Sequence, residues 1–218
     1  MTAGHCARNR KDTMTPLHTT MGRLATAAFV LATLAFLPQA SRAVEVAGVN
    51  YAAQLQNGPH TLLLNGAGIR RKASSNLYSA ALYLSQPARS PEEVLSSTGP
   101  KQLRVFMLQD VNSRDMGDML ARGLATNNRD DDLAAIVPEM LDLGSFIADR
   151  GKLRTGDGFQ IDWDPAVGTT ITVFQREEGK PVRQVFEKKD LIAPMMRIWL
   201  GTKPADPQLK AALLGQRT

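Results

Sequence analysis

Three basic side chains, Arg70, Arg71 and Lys72, follow the glycine-rich stretch Asn65-Gly66-Ala67-Gly68-Ile69, and two phenols, Tyr78 and Tyr83, follow within the apolar run 77–84. Gly66 and Gly68 permit backbone shapes that a side chain would hinder, so the stretch reads as a tight turn that sets a guanidinium at the mouth of an apolar cleft. A guanidinium there offers fixed donors to a carboxylate, a phenolate or a developing enolate. Tyr78 and Tyr83 add phenolic hydrogen-bonding groups. Consecutive side chains diverge, so at most two of the three cations should face the cleft. Arg70 is expected inward and Arg71 toward solvent. The opposite wall is expected from a helix on which Met116, Met119, Leu120, Gly123 and Leu124 recur at intervals of three and four. Its methionines suit an irregular apolar pocket.

Other chemistries lack their residues. The single cysteine, Cys6, precedes the expected mature chain, and His60 is the only histidine beyond residue 43. Neither a cysteine nucleophile nor a thiolate or histidine metal centre can be assembled there, and no cofactor is expected. The run Asp130-Asp131-Asp132 lacks the alternating ligands of an EF-hand loop. It reads instead as a helix start, where carboxylates complement exposed amides.

Residues 1–43 have the order of a secretory signal. Arg8, Arg10, Lys11 and Arg23 precede the apolar run 24–37, and Ser41-Arg42-Ala43 offers a small-residue cleavage site. The run is shorter than the roughly 20 residues that a spanning helix needs. Cleavage after Ala43 is expected, with export to the periplasm or beyond and no transmembrane segment thereafter. The whole chain carries 26 basic and 21 acidic residues; removing five of the former and one of the latter leaves 21 against 20. That near balance gives no electrostatic reason to expect a nucleic-acid partner.

The remaining chain, 44–218, reads as one α+β domain. A short strand is expected within 44–51, then extended runs at 60–64, 77–84 and 103–108. Helices follow, with Ser113 as a cap for the first. Phe159, Ile161 and Trp163 alternate with Gln160, Asp162 and Asp164, the pattern of a half-buried strand. Runs at 169–174 and 182–186 continue an antiparallel sheet through short turns. An apolar helix face then contains Leu191, Met195, Ile198 and Trp199, with Pro194 expected to bend or divide it. Asp206 caps a last helix, with Pro207 at its first position and Gly215 behind it.

The ordered set 64–70, 77–84, the helix 113–128, Gly156-Asp157, Ile161-Asp162-Trp163, Phe186, and Ile198-Trp199-Leu200-Gly201 with Pro204 resembles the bacterial, exported branch of the chalcone-isomerase-like family. The resemblance implies an antiparallel sheet packed on one face by helices, an open-faced sandwich with a pocket between the layers. It also implies that Arg70 is the arginine that family enzymes keep near the substrate. Tyr78 falls where flavonoid-processing members have a threonine, and Met116 and Gly123 fall where they have a tyrosine and an asparagine. The usual constellation for closing a chalcone is therefore incomplete. Non-catalytic members bind fatty acids, and the favoured expectation is a small apolar or anionic ligand of that kind. Its expected lining is Arg70, Tyr78, Tyr83, Met116, Met119 and Gly123. Two other functions stay open: an isomerase or intramolecular lyase acting on an enone through Arg70 and Tyr78, and a ligand-free accessory protein of the envelope.

Overall fold

The computed structural model describes residues 43–187 and 191–216. All of the expected signal except Ala43 lies outside them. The fold is α+β. Seven antiparallel strands form the sheet: β3 (Gln54–Asn57), β4 (His60–Lys72), β5 (Ser75–Leu84), β6 (Lys101–Met107), β9 (Gly158–Asp164), β10 (Gly168–Phe174) and β11 (Val182–Phe186). They run in the order β11-β10-β9-β6-β5-β4-β3, and helices cover one face. The hairpin β1 (Val44–Val46) and β2 (Val49–Tyr51) and the short pair β7 (Val111–Asn112) and β8 (Lys152–Leu153) stand outside this sheet. The helices are α1 (Pro91–Ser96), α2 (Ser113–Asn127), α3 (Asp130–Ala134), α4 (Val137–Ala148), α5 (Ile192–Leu200) and α6 (Pro207–Leu213).

β5 explains the layering. It reads as a continuous apolar run because both of its faces are buried, which removes the usual alternation. Tyr78, Ala80, Leu82 and Leu84 enter the main core beneath the helices. Ala81 and Tyr83 enter a smaller cluster on the other face, with Tyr51, Leu62, Val46 and Val49. The expected strand 44–51 is in fact the hairpin β1–β2, turned at Ala47 and Gly48, both with positive φ.

The glycine-rich stretch is not a turn. It lies inside the 13-residue strand β4, and the reversal comes only at Ala73. Gly66 and Gly68 have no positive φ; what they provide is room. A Cβ on Gly66 would strike the Ala212 carbonyl of α6, and one on Gly68 would lie 2.6 Å from the Ala212 Cβ. The last helix thus rests directly on strand backbone.

One irregularity sets the facing of β4. Leu64 pairs with Tyr83 but Gly66 pairs with Leu82, so Asn65 is the extra residue of a bulge. Before it, Leu62 and Leu64 belong to the cluster away from the helices. After it, Gly68 opposes Ala80 and Arg70 opposes Tyr78, on the helix side. The Asn65 amide secures the bulge, donating to the Leu213 carbonyl at 2.7 Å and accepting from the Ala88 N–H at 2.8 Å.

Two helix expectations and one strand expectation are revised. Ser113 is the first residue of α2 rather than its cap, and its hydroxyl donates to the carbonyls of Ala148 and Gly151. Pro194 falls in the first turn of α5, where no intrahelical N–H is needed, so the helix continues undivided. Asp162 is buried, because Gln102 and Gln160 both donate to its carboxylate. Asp206 does cap α6, accepting from the N–H groups of Gln208 and Leu209 at 2.8 and 3.0 Å.

Two glycine substitutions should therefore change stability in opposite directions. Gly66→Ala should cost about 1–3 kcal/mol by overpacking against α6. Gly144→Ala on α4 meets nothing within 4 Å and should gain up to about 1 kcal/mol from helix propensity. Urea denaturation of both variants measures the pair.

Candidate functional site

Arg70 and Tyr78 are cross-strand partners on β4 and β5, and their facing brings them together beneath α5. The Tyr78 hydroxyl accepts a hydrogen bond from Trp199 Nε1 at 2.8 Å and a longer one from Arg70 Nη1 at 3.4 Å. The guanidinium carbon also lies 5.5 Å from the Tyr78 ring centroid, within cation–π range. Tyr78 and Trp199 are each only 1% exposed. Burial pushes the Tyr78 phenol above its ordinary value, with the Arg70 guanidinium pulling the other way. The phenol therefore keeps its proton at neutral pH.

Two donors in this group remain unspent. The two lone pairs of the Tyr78 oxygen face Trp199 and Arg70, so its own O–H is left to donate. Arg70 Nε is buried with no hydrogen-bond partner among the described residues. A buried donor left unmade is costly, and an anionic or carbonyl oxygen is the acceptor that suits both.

Arg70 also floors a solvent-open depression of about 340 Å³, bordered by Arg71, Lys72, Met119, Arg122, Gly123 and Lys203 among others. Arg71 is exposed, as expected, yet it borders the same solvent-open depression as the half-buried Arg70 and the exposed Lys72. The reason is local: register shifts again between Arg70 and Arg71, and the Arg71 N–H is held by Asp206 Oδ2 at 2.8 Å while its guanidinium donates to Gln208 Oε1 at 2.6 Å. The strand end is drawn toward the N-terminus of α6.

The other expected site residues separate. Met119 and Gly123 border the depression. Gly123 also lets α5 approach α2, since a Cβ there would come within 2.7 Å of Ile198 Cγ2. Met116 instead lines an apolar cavity with Leu120, Leu143, Phe159, Ile171 and Met195. That cavity offers about 20 Å³ to the centre of a water-sized sphere, room for roughly one water. Tyr83 is removed from the group altogether. It lies on the opposite face of the sheet and donates to the Ala52 carbonyl at 3.0 Å. It stands five positions after Tyr78, an odd offset, so a regular strand must send the two to opposite faces. His60 pairs with Asp164 at 3.7 Å, and the described residues contain no cluster of three metal-ligating side chains. No helix among them is long and apolar enough to cross a membrane.

The chalcone isomerase-like family model matches residues 43–215. The chain belongs to the chalcone isomerase-like family. Among solved structures, its fold matches that of an Arabidopsis thaliana fatty-acid binding protein with a TM-score of 0.56 and 14% identity, over 79% of this chain and 96% of that one. At that identity the likeness establishes the fold alone. No curated protein matches the sequence.

Within this chalcone isomerase-like chain, sequence reasoning missed three contributors. Trp199 reads as one more core residue of an apolar helix, and nothing local signals its bond to Tyr78 across 121 positions. Nothing in the local sequence sets Arg122 and Lys203 apart from other cations.

The pairing can be tested by energetic coupling. Tyr78→Phe leaves the buried Trp199 N–H without its acceptor and should cost about 1–3 kcal/mol. Combined with Trp199→Phe, it should show coupling of about 0.5–3 kcal/mol, whereas Tyr83→Phe with Trp199→Phe should add to within about 0.5 kcal/mol. Double-mutant cycles in urea report both.

Proposed function

We propose that this chalcone isomerase-like protein binds a small apolar anion, such as a fatty acid, and does so without flavonoid cyclisation. The observation that carries this reading is the pair of unspent donors, Arg70 Nε and the Tyr78 O–H, set side by side at the edge of the apolar core. A carboxylate accepts from both. Its alkyl chain would run between sheet and helices toward Met116 and Met195, contributing about 0.8 kcal/mol per buried methylene before binding costs. The small cavity means that these flexible side chains must yield to the chain. The shared fold of the plant fatty-acid binding protein supports the choice of ligand class. Cyclisation is disfavoured because α2 presents Met119 and Gly123 toward this region, neither of which orients a phenolate. The same donors would stabilise an enolate, which is why enone turnover belongs in the test.

The narrow cavity favours a second reading, a ligand-free accessory role. Val137 and Leu141 on α4 are exposed at 47% and 68%, as a partner-binding surface would require. Export is proposed on residues 1–43 alone, with maturation after Ala43 and a periplasmic or otherwise external destination. Intact-mass measurement of protein from its own host should give the mass of 44–218; a mass retaining the leader removes the export proposal.

Calorimetric titration with dodecanoate and its methyl ester tests the ligand reading. Arg70→Ala should weaken dodecanoate binding about 10- to 150-fold, the worth of a hydrogen bond to a charged group, and barely affect the ester. Arg70→Lys should recover part of the loss, because an ammonium keeps the charge but not the planar fork. Equal weakening of acid and ester, or none, overturns the anchor. Failure of the parent to bind either ligand favours the accessory role. Turnover of a chalcone above the buffer rate, lost in Arg70→Ala, would install the enzymatic reading instead.

A further inference from the structure

Five cations border the depression above Arg70: Arg70 itself, Arg71, Lys72, Arg122 and Lys203. Among the described residues no carboxylate borders it with them. None of the five makes an ion pair among the described residues, whereas Arg129, Arg150, Lys152, Arg154 and Arg197 all do. Asp206 accepts from the N–H groups of Arg71, Gln208 and Leu209; those amides are neutral, so its charge offsets part of the five and a net positive excess remains. Lys72 also borders a neighbouring depression with Asp110 and Asp115, but Asp110 is held by Lys152 at 2.8 Å. Like charges crowded with too little counter-charge destabilise the folded chain unless an anion joins them.

The rim is also built rather than incidental. It draws on β4, α2 and the segment 203–205 after α5. Asn127 on α2 clamps that segment, donating to the Lys203 carbonyl at 2.8 Å and accepting from the Lys203 N–H at 2.9 Å. The Ala205 N–H returns to the Ile198 carbonyl at 2.8 Å, and Lys210 Nζ donates to the Gly201 carbonyl at 2.8 Å. The backbone carrying Lys203 is therefore fixed opposite Arg122 before any ligand arrives. A single carboxylate has use for Arg70 and Tyr78; it has no use for four more cations.

We infer that Arg71, Lys72, Arg122 and Lys203 form a second anionic subsite beside Arg70, selective for a doubly charged phosphate-class head group over a carboxylate. The inference rests on the anion-binding reading of Arg70 and extends it to the class of head group. A phosphomonoester carries close to two charges at neutral pH and three strong acceptor oxygens, which suits several forked and point cations arranged around one space.

Three probes separate the possibilities: dodecyl phosphate, dodecanoate and inorganic pyrophosphate, each titrated below micelle formation into the parent and into Arg122→Ala/Lys203→Ala. The parent should bind dodecyl phosphate at least about tenfold more tightly than dodecanoate, from the added charge-assisted bonds. The double variant should bring that ratio close to one, with circular dichroism showing that it remains folded. Binding of pyrophosphate by the parent, lost in the variant, would identify a site for free phosphates; preference for dodecyl phosphate with no pyrophosphate binding would identify a lipid-type phosphomonoester. Both outcomes support the subsite. If pyrophosphate binds and dodecanoate does not, the subsite stands and the fatty-acid reading falls. If dodecanoate binds through Arg70 with no phosphate preference, or if the double variant keeps the preference, the subsite is wrong and the fatty-acid reading survives. Binding of none of the three overturns both.

Discussion

Asn65 interrupts the pairing of β4 with β5, and the facing of every later residue on β4 depends on that interruption. Without the bulge, the alternation that sends Leu62 and Leu64 away from the helices would send Gly66, Gly68 and Arg70 the same way. Arg70 would then stand on the far side of the sheet from Tyr78 and Trp199. The bulge holds because the Asn65 side chain is bonded at both ends, to Leu213 at the end of α6 and to Ala88 beyond β5. The same helix rests on Gly66 and Gly68. Local irregularity and close helix packing are therefore one device, and Arg70 is what it positions.

The electrostatics around Arg70 follow from where acids are absent. The chain beyond residue 43 is nearly neutral, with 21 basic and 20 acidic residues, so an under-compensated cationic depression must be matched by acids placed elsewhere. Two such acids are engaged structurally: Asp162 by Gln102 and Gln160, and Asp110 by Lys152. Local charge is thus an outcome of folding and cannot be read from the total.

Membership of the chalcone isomerase-like family sets the frame but leaves the chemistry to particular side chains. Tyr78 is buried, protonated and engaged by two N–H donors, which makes it a positioned donor rather than a base. The wall opposite offers sulfur and aliphatic carbon. The apolar cavity beside Met116 and Met195 is small, and the unbranched methionine side chains in its lining adapt at little cost.

Much of the fold was legible in the sequence because hydrophobic periodicity is local. The strands at 77–84, 159–163, 169–174 and 182–186, the helix stripe of Met116, Met119, Leu120 and Leu124, and the Asp206-Pro207 start of the last helix all declare themselves within a few residues. Arg70 stood out for the same reason, and the opposite facing of Tyr78 and Tyr83 was present in their odd spacing. What the sequence could not supply depends on partners far along the chain. The glycines of β4 suggested a turn because their true reason, contact with Ala212, lies beyond any local window. Asn65 looked like one more loop residue, although its bulge decides which face Arg70 joins. Trp199 gained its role only when α5 crossed β5. Arg122 and Lys203 became part of one site only when α2 and the 203–205 segment were fixed against each other by Asn127. Composition and spacing determined the kinds of groups available; tertiary packing decided which of them share a space and which go without a counter-charge.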